Sequence, residues 1–485
     1  MRILVLNPPF FPKYSRNSRS PAVTKGGTIY YPLWLAYATG VLEKEGHDVK
    51  LVDAPASGKD LGDVREIAKK FNPEMLVCDT STPSIYNDVK VLEQLKKERD
   101  FFSVLVGTHP SALPLETLKL SDAIDAVTVH EYDYTVRELA EKAEKKKFKP
   151  ADLKKVSGIA FRDGKKLSRN PDRAPIENLD ELPFASEVYK RHLDIRDYFY
   201  SANLYPEVTI LTGRGCPFKC KFCYWTHVLN IGGYRTRSIG NVMEEFESIE
   251  SNFPEAKEVF IEDDTFTALP KRVEQFCEEK IKRKIGIKWS CNARADAPLQ
   301  TLRKMKGAGC RLLCVGFESG SQGILDNVNK AMTIGKMQRF MADTKKAGVL
   351  VHGCFMAGNE GETPETIRQT IELAKKLSPD TAQFFPIMVY PGTAAFDYFR
   401  EQGWLVTEDY SKWLDEKGWH NCIVSRPGLS SRQLVEWCDR ARREFYLRPG
   451  YILSKFAQAV LHPEEAGRIW RAGRVFSRSL AKAGG

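Results

Sequence analysis

The chain has 485 residues, 42% hydrophobic and 28% charged, with eleven cysteines and a net charge of +10. This composition describes a globular protein of more than one domain and excludes a disordered chain, a collagen-like fibre and a small disulfide scaffold. The positive charge permits anionic partners, but no arginine-rich low-complexity tail or zinc-finger spacing points to nucleic acid. The opening Met1-Arg-Ile-Leu-Val-Leu-Asn reads as a strand and not as a targeting segment, and no apolar run reaches transmembrane length. A reducing cytoplasm is the expected compartment.

Residues 1–145 alternate strand and helix. Strands are expected at 2–7, 49–53, 75–79, 104–107 and 126–129, and helices at 33–45, 64–71, 88–99 and 135–147. Single helices between strands predict an α/β, doubly wound parallel sheet whose ligands gather at the strand carboxyl ends. Those ends are Asn7-Pro-Pro-Phe, Asp53, Asp79-Thr-Ser-Thr, Gly107-Thr-His-Pro and His130-Glu-Tyr. The first strand runs into Pro8-Pro9, so no dinucleotide fingerprint is present. Residues 146–205 read as a linker with a β-hairpin turning at Asp163-Gly164, then a polar stretch at 178–183.

A second strand–helix series fills 206–400. The apolar run 208–211 reads as a buried strand, and Thr212-Gly-Arg-Gly-Cys216-Pro-Phe-Lys-Cys220-Lys-Phe-Cys223-Tyr-Trp follows as a loop kept irregular by Gly213, Gly215 and Pro217. Three thiolates this close can hold three corners of a cubic iron–sulfur cluster. Such clusters normally take four cysteines, so a missing ligand leaves one iron open. Two other readings of the same residues stand beside it: a closed zinc site of Cys216, Cys220, Cys223 and His227, and three buried structural thiols. Further strands are expected at 258–264, 288–292, 311–317, 349–356 and 381–389, with helices at 241–251, 271–282, 300–308, 336–347 and 365–377.

The carboxyl ends of these strands are polar: Glu262, Asp263 and Asp264, then Ser290, Asn292 and Arg294, then Glu318-Ser319-Gly320. The acids either face a ligand or cap a helix that starts near Thr265. Arg294 suits a carboxylate, which a guanidinium grips with two hydrogen bonds. Arg235 and Arg237 open a helix, where they either meet an anion or lie solvated. Cys277, Cys291, Cys310, Cys314, Cys354, Cys422 and Cys438 read as buried small hydrophobes.

Beyond residue 400 the pattern breaks into short helices and turns carrying Trp404, Trp413, Trp419 and Trp437, with helices expected at 440–447 and 451–461. In a last helix Ile469, Trp470, Phe476 and Leu480 share one arc, and Arg468, Arg471, Arg474 and Arg478 the opposite one. Such a helix either lies on an anionic membrane or packs on the body of the protein with its arginines in water.

The Cys-x3-Cys-x2-Cys spacing after a strand, with Phe222 before the last cysteine, resembles the signature of the radical SAM superfamily. The six strand–helix units match that family's partial (β/α)6 TIM-like barrel. The resemblance implies a [4Fe–4S] cluster on Cys216, Cys220 and Cys223, whose open iron chelates S-adenosylmethionine (SAM) and cleaves it to a 5′-deoxyadenosyl radical. It implies SAM contacts from Glu262, Asp263, Asp264, Ser290, Asn292, Arg294, Glu318, Ser319 and Phe355, with Arg235 and Arg237 beside them. The stretches 31–38, 45–49, 106–114 and 131–139 resemble the cobalamin-binding domain that precedes many radical SAM domains. Thr80, Ser81, Thr82, Gly107 and His109 are the contacts expected there. The Asp-x-His-x-x-Gly motif that supplies a lower axial histidine is absent, and His109 is equally well read as a loop histidine bonded to backbone.

The stretches 220–225, 232–238, 253–258, 263–267 and 445–449 are similar to hopanoid-biosynthesis radical SAM proteins and their lipid-modifying relatives. The implied activity is carbon–carbon bond or ring formation on an isoprenoid lipid or its head group. Cobalamin-dependent C-methylation is the alternative, and a zinc-stabilised corrinoid- or nucleic-acid-binding protein the alternative of another class. The implied partners are a small-molecule or lipid substrate and a low-potential reductant such as ferredoxin or flavodoxin, with peripheral membrane contact through the C-terminal helix. The domain boundaries implied are 1–145, 146–205, 206–400 and 401–485.

Overall fold

Valine-, leucine- and isoleucine-rich runs at the head of the chain become strands that are buried on both faces, as strands of a covered parallel sheet must be. The computed structural model describes residues 1–143, 150–461, 465–468 and 470. The first sheet comprises β1 (Arg2–Asn7), β2 (Asp48–Asp53), β3 (Met75–Thr80), β4 (Phe102–Gly107), β5 (Ala126–Thr128), β6 (Ile159–Asp163) and β7 (Lys166–Arg169), in the order β2-β1-β3-β4-β5-β6-β7. The first five are parallel. The helices Leu33–Lys44, Leu61–Phe71, Ile85–Glu98 and Asp133–Ala143 supply the coverings that parallel connections require. The expected helix end at 144–147 lies outside the described residues.

The stretch expected to link the domains does more than connect. Its hairpin is present, but β6 pairs antiparallel with β5 and continues the first sheet. At the opposite margin the helix Ala185–His192, which carries no strong sequence signal, lies against β2. There Leu51 N donates to His192 Nδ1 at 3.4 Å, and His192 Nε2 lies 2.7 Å from Glu43.

The second sheet comprises β8 (Glu207–Ile210), β11 (Glu258–Ile261), β12 (Lys288–Ala293), β13 (Cys310–Glu318), β14 (Leu350–Ala357) and β15 (Thr381–Pro386), in the order β15-β14-β13-β12-β11-β8. All neighbours are parallel, so the six strand–helix units form the partial barrel. Two short strands, β9 (Gly213–Arg214) and β10 (Arg235–Thr236), pair antiparallel at its mouth. Trp289 anchors the outer layer with its ring edge-on to Phe266 and Phe276, at 5.5 and 5.0 Å. The helix Ser431–Tyr446 covers β15, where the Tyr446 hydroxyl accepts from Ala382 N at 2.9 Å and donates to Ala382 O at 2.7 Å. No helix among the described residues is long and apolar enough to cross a membrane. Of the expected last helix, 465–468 and Trp470 are described, and Ile469, Arg471, Arg474, Phe476, Arg478 and Leu480 lie outside the described residues.

The carboxyl ends of the two sheets face each other. Tyr224, beyond the cysteine loop, donates to Thr108 Oγ1 at 2.8 Å, and His130 after β5 donates to Val228 O at 2.7 Å. The segment 8–32, which follows β1, fills the seam. Tyr14 Oη lies 2.9 Å from Ser81 Oγ, and Arg16 pairs with Asp88 with both side chains fully buried. Arg214 completes the contact. It is 1% exposed, donates to both oxygens of Asp133 at 2.8 and 3.1 Å, and stacks on Trp34 and Tyr37 at 4.5 and 4.9 Å.

Candidate active site

The cysteine loop begins at Gly215, whose backbone is left-handed (φ +84°) and where a Cβ would lie 1.9 Å from Gly233 O. Only glycine fits that approach. Asp263 holds the loop's stem, accepting from Thr212 N (2.6 Å), Thr212 Oγ1 (2.7 Å), Gly213 N (3.0 Å) and Tyr234 Oη (3.1 Å). Further along, Lys221 N donates to Val328 O at 3.0 Å and Asn329 Nδ2 to Lys219 O at 2.9 Å, so the loop rests on the turn after the helix Gln322–Asn327. Burial raises the Cys220 thiol and pushes Cys223 up to about 11, the direction a protonated, unligated thiol takes in an apolar place.

The loop ends in a π-helical turn, Trp225–Leu229, in which His227 Nδ1 donates to Cys223 O at 2.6 Å. Cys216, Cys220, Cys223 and His227 do not converge as a closed tetrahedral set. Among the described residues, the one group of three or more such side chains whose ligand atoms lie within 4.8 Å of one another is elsewhere. Three thiols spread on one loop, without a fourth, fit a cluster with an open corner.

At the end of β11 the three acids have separate fates. Asp263 is the loop clamp just described, so it is not free for a ligand. Glu262 pairs with Arg19 and accepts from Asn292 Nδ2 at 3.2 Å. Asp264 accepts from Gly215 N (3.1 Å) and Asn230 Nδ2 (2.8 Å), while its Oδ1 is buried without a hydrogen-bond partner and faces Arg19 at 3.7 Å. Burial raises both carboxyls, against the pull of Arg19. None of the three caps a helix: the turn Phe266–Ala268 starts at Thr265 and Pro270–Lys282 at Leu269, both without a side-chain cap.

Other expected contacts fall into place or out of it. Arg294 lies flat over Phe218 of the loop (3.5 Å), donates through Nη2 to Lys330 O and Ala331 O at 3.0 and 2.9 Å, and turns Nε to Asp296 at 3.4 Å. Ser290 Oγ is buried against Asn203 Oδ1 at 3.2 Å. Glu318 takes Lys330 at 2.8 Å, and Ser319 Oγ meets Thr370 Oγ1 at 3.2 Å. Phe355 corrects the expectation of a SAM contact. Side chains alternate along a strand, and Phe355 points outward, stacked between Phe317 (5.5 Å) and Phe384 (5.1 Å) under the outer helices. Arg235 and Arg237 have partners within the chain: Arg235 pairs with Glu131 of the first domain, and Arg237 with Glu245 while donating to Leu211 O at 2.8 Å.

Across the seam, Gly107 has φ +108°, and a Cβ there would lie 2.5 Å from Asp79 Oδ1 and from Thr80 O. Ser81 bonds Tyr14 and Ser84. Thr82 Oγ1 lies 3.2 Å from His109 Nδ1, and the His109 ring meets Tyr410 edge-on at 5.1 Å. Burial drives His109 down to about 3, so it stays neutral. Thr80 Oγ1 is buried without a partner, an orphan hydroxyl at the end of β3. Loops rich in hydroxyls and one unpaired donor here fit the polar periphery of a corrinoid.

Sequence reasoning missed Arg19, Tyr30 and Tyr200, because segment 8–32 and the stretch before β8 show no periodicity. It also read Cys314 and Cys354 as core. Cys277, Cys291, Cys310 and Cys438 are indeed buried, but Cys422 is partly exposed, and so are Cys314 and Cys354. They line the barrel interior with His352, and the three donors lie within 4.8 Å of one another. A strand-period count placing Cys314 on the face of Leu312, and His352 with Cys354, would have found them.

Two family models match: the radical SAM superfamily over residues 210–374 and the B12 binding domain over 19–140. An uncharacterized methyltransferase of Pyrococcus horikoshii is 30% identical over 93% of this chain and 94% of its own. An anaerobic magnesium-protoporphyrin IX monomethyl ester cyclase of Rubrivivax gelatinosus is 30% identical over 94% and 80%. A hopanoid C-3 methylase of Methylococcus capsulatus is 23% identical over 78% and 70%. Among solved structures, the radical S-adenosylmethionine methyltransferase TsrM from Kitasatospora setae shares the fold with a TM-score of 0.70, covering 93% of this chain and 90% of that one at 17% identity.

Proposed function

The chain belongs to the radical SAM superfamily, with a B12-binding domain ahead of the barrel, and from that premise we propose that it is a cobalamin-dependent methyltransferase acting on an unactivated carbon. Its cofactors are a [4Fe–4S] cluster, SAM and cobalamin. The observation that supports methyl transfer most is the match to the uncharacterized methyltransferase of Pyrococcus horikoshii across nearly the full length of both chains. Ring formation keeps support from the 30% match to the cyclase, as a second reading. The narrower expectation of bond formation on an isoprenoid lipid gives way, since its support is the weaker match to the hopanoid methylase.

In this proposal Cys216, Cys220 and Cys223 hold the cluster, Glu262 and Asp264 receive the SAM ammonium, and the loops at 80–82 and 107–109 border the corrinoid. When bound, these groups supply a carbon-centred radical and a methyl donor. The chain's own residues do the rest. Arg19 spans Glu262 and Asp264, so an incoming ammonium competes with it for the same oxygens. Tyr200, Phe260 and Leu312, with Tyr30 packed against them, give the lumen an apolar wall that keeps water from the substrate. A low-potential reductant such as ferredoxin or flavodoxin belongs to the proposal. So does a peripheral surface contact: the helix Pro449–Leu461 exposes Leu453 and Phe456 at 68% and 72%.

The test is anaerobic reconstitution with methyl-deuterated SAM, with and without cobalamin, followed by mass spectrometry. Methyl transfer yields S-adenosylhomocysteine together with 5′-deoxyadenosine, and the label in the product. 5′-Deoxyadenosine alone, with an unlabelled product, sinks methyl transfer and leaves ring formation.

A further inference from the structure

We propose that Cys314, His352 and Cys354 form a second metal site, distinct from the cysteine loop, that holds one zinc ion inside the barrel with a coordination position open to the lumen. β13 and β14 run parallel with Cys314 opposite His352 and Gly316 opposite Cys354. The two thiols and the imidazole therefore stand on one face of two neighbouring strands, two residues apart along β14. Their ligand atoms all lie within 4.8 Å of one another. Tetrahedral zinc with two sulfurs and a nitrogen needs separations of about 3.6–3.8 Å, so small side-chain adjustments close the set.

The surroundings combine the apolar wall of Tyr200, Phe260 and Leu312, against which Cys314 packs, with polar groups that can orient the ligands. His352 Nδ1 lies 2.7 Å from Thr381 Oγ1, which fixes the ring, and the Gln383 side chain, which also faces the imidazole, must turn aside for Nε2 to take a metal. Gly316, the partner of Cys354 across the strands, admits no side chain, since a Cβ there would lie 2.2 Å from Glu318 Oε1, which stands beside the pair. Tyr200 Oη sits 3.2 Å from Cys314 Sγ on the lumen side. Two cysteines and one histidine with an open fourth place are the donor set of catalytic and not structural zinc. Binding releases two thiol protons per zinc, so Zn²⁺ with two thiolates and a neutral imidazole adds no net charge to the lumen. The open position would take an oxygen, nitrogen or sulfur donor of whatever molecule enters the barrel.

The test uses the full-length chain with its iron cluster loaded. After dialysis against a weak chelator, iron and zinc are measured together by mass spectrometry. About one zinc per chain is expected, falling at least about fivefold in Cys314→Ser, Cys354→Ser and His352→Gln with iron unchanged. Cobalt(II) added to the zinc-stripped chain gives intense thiolate-to-metal absorption, absent in Cys354→Ser. If one serine variant fails to load iron, the glutamine variant and the cobalt spectrum of the unaltered chain still decide. A zinc-free unaltered chain, zinc insensitive to all three substitutions, or cobalt without thiolate bands overturns the proposal.

Discussion

Replacing Arg214 by methionine tests whether the cysteine loop is held by a charge lock between the two domains. The guanidinium and Asp133 are both 1% exposed, and Glu131 lies 3.9 Å away. Removing the cation leaves buried carboxylate uncompensated, which costs about 3–5 kcal/mol. Loss of the stacking on Trp34 and Tyr37 adds about 1–2 kcal/mol. Asp133→Leu alone strands the arginine at a similar cost. The double variant removes both charges and should be less destabilised than the sum of the two by about 2–3 kcal/mol. Urea unfolding followed by tryptophan fluorescence reads the cycle, with Trp34 reporting at the site. Arg214 stands two residues before Cys216, so iron uptake should fall in either single variant. A coupling below about 0.5 kcal/mol would refute the lock.

Gly215→Ala should abolish iron loading, because its Cβ meets Gly233 O, while Gly164→Ala, also at positive φ but with open space around it, should load normally. Asp263→Ala should lower stability by about 3 kcal/mol through its lost loop hydrogen bonds, whereas Asp264→Asn should leave melting and iron intact and weaken SAM binding about tenfold; equal behaviour of the two would remove the distinction drawn at β11. Burial beside Glu258 and Glu262 raises Glu207 to about 8. Its proton is therefore held in the folded chain and lost in the unfolded one between about pH 4.5 and 8, so the native protein loses stability relative to Glu207→Gln as pH rises through that window, by at most about 1.4 kcal/mol per unit. A pH-independent difference would contradict it. Leu453→Asp with Phe456→Asp should reduce flotation with anionic liposomes, and unchanged flotation would end the surface-contact proposal.

Regular elements were legible where periodicity and turn residues agreed. The strands at 75–79 and 258–264 announce themselves by the apolar runs 75–78 and 259–261, although the second ends at Ile261, before its three acids. Starts were less legible: the helix expected at 64 begins at Leu61 behind an Asp60–Asp63 capping box, and the one expected at 88 begins at Ile85. The cysteine loop was readable because its chemistry sits in one short stretch. Arg19 and Asp263 were not readable in their roles, since each is defined by a partner far along the chain, at Glu262 and Thr212 respectively. The alternation that turned Phe355 outward was in the sequence, but the family resemblance outweighed it.

The hairpin β6–β7 and the helix Ala185–His192 guard opposite margins of the first sheet, and both belong to the stretch that sequence patterning assigns to a tether. A fragment cut near residue 145 would leave β2 and the three-residue β5 with bare backbone donors and acceptors, open to self-association. The piece to excise, or to graft onto another barrel when building chimeras, is therefore 1–205, and the corrinoid module carries its own seals downstream of its recognisable end.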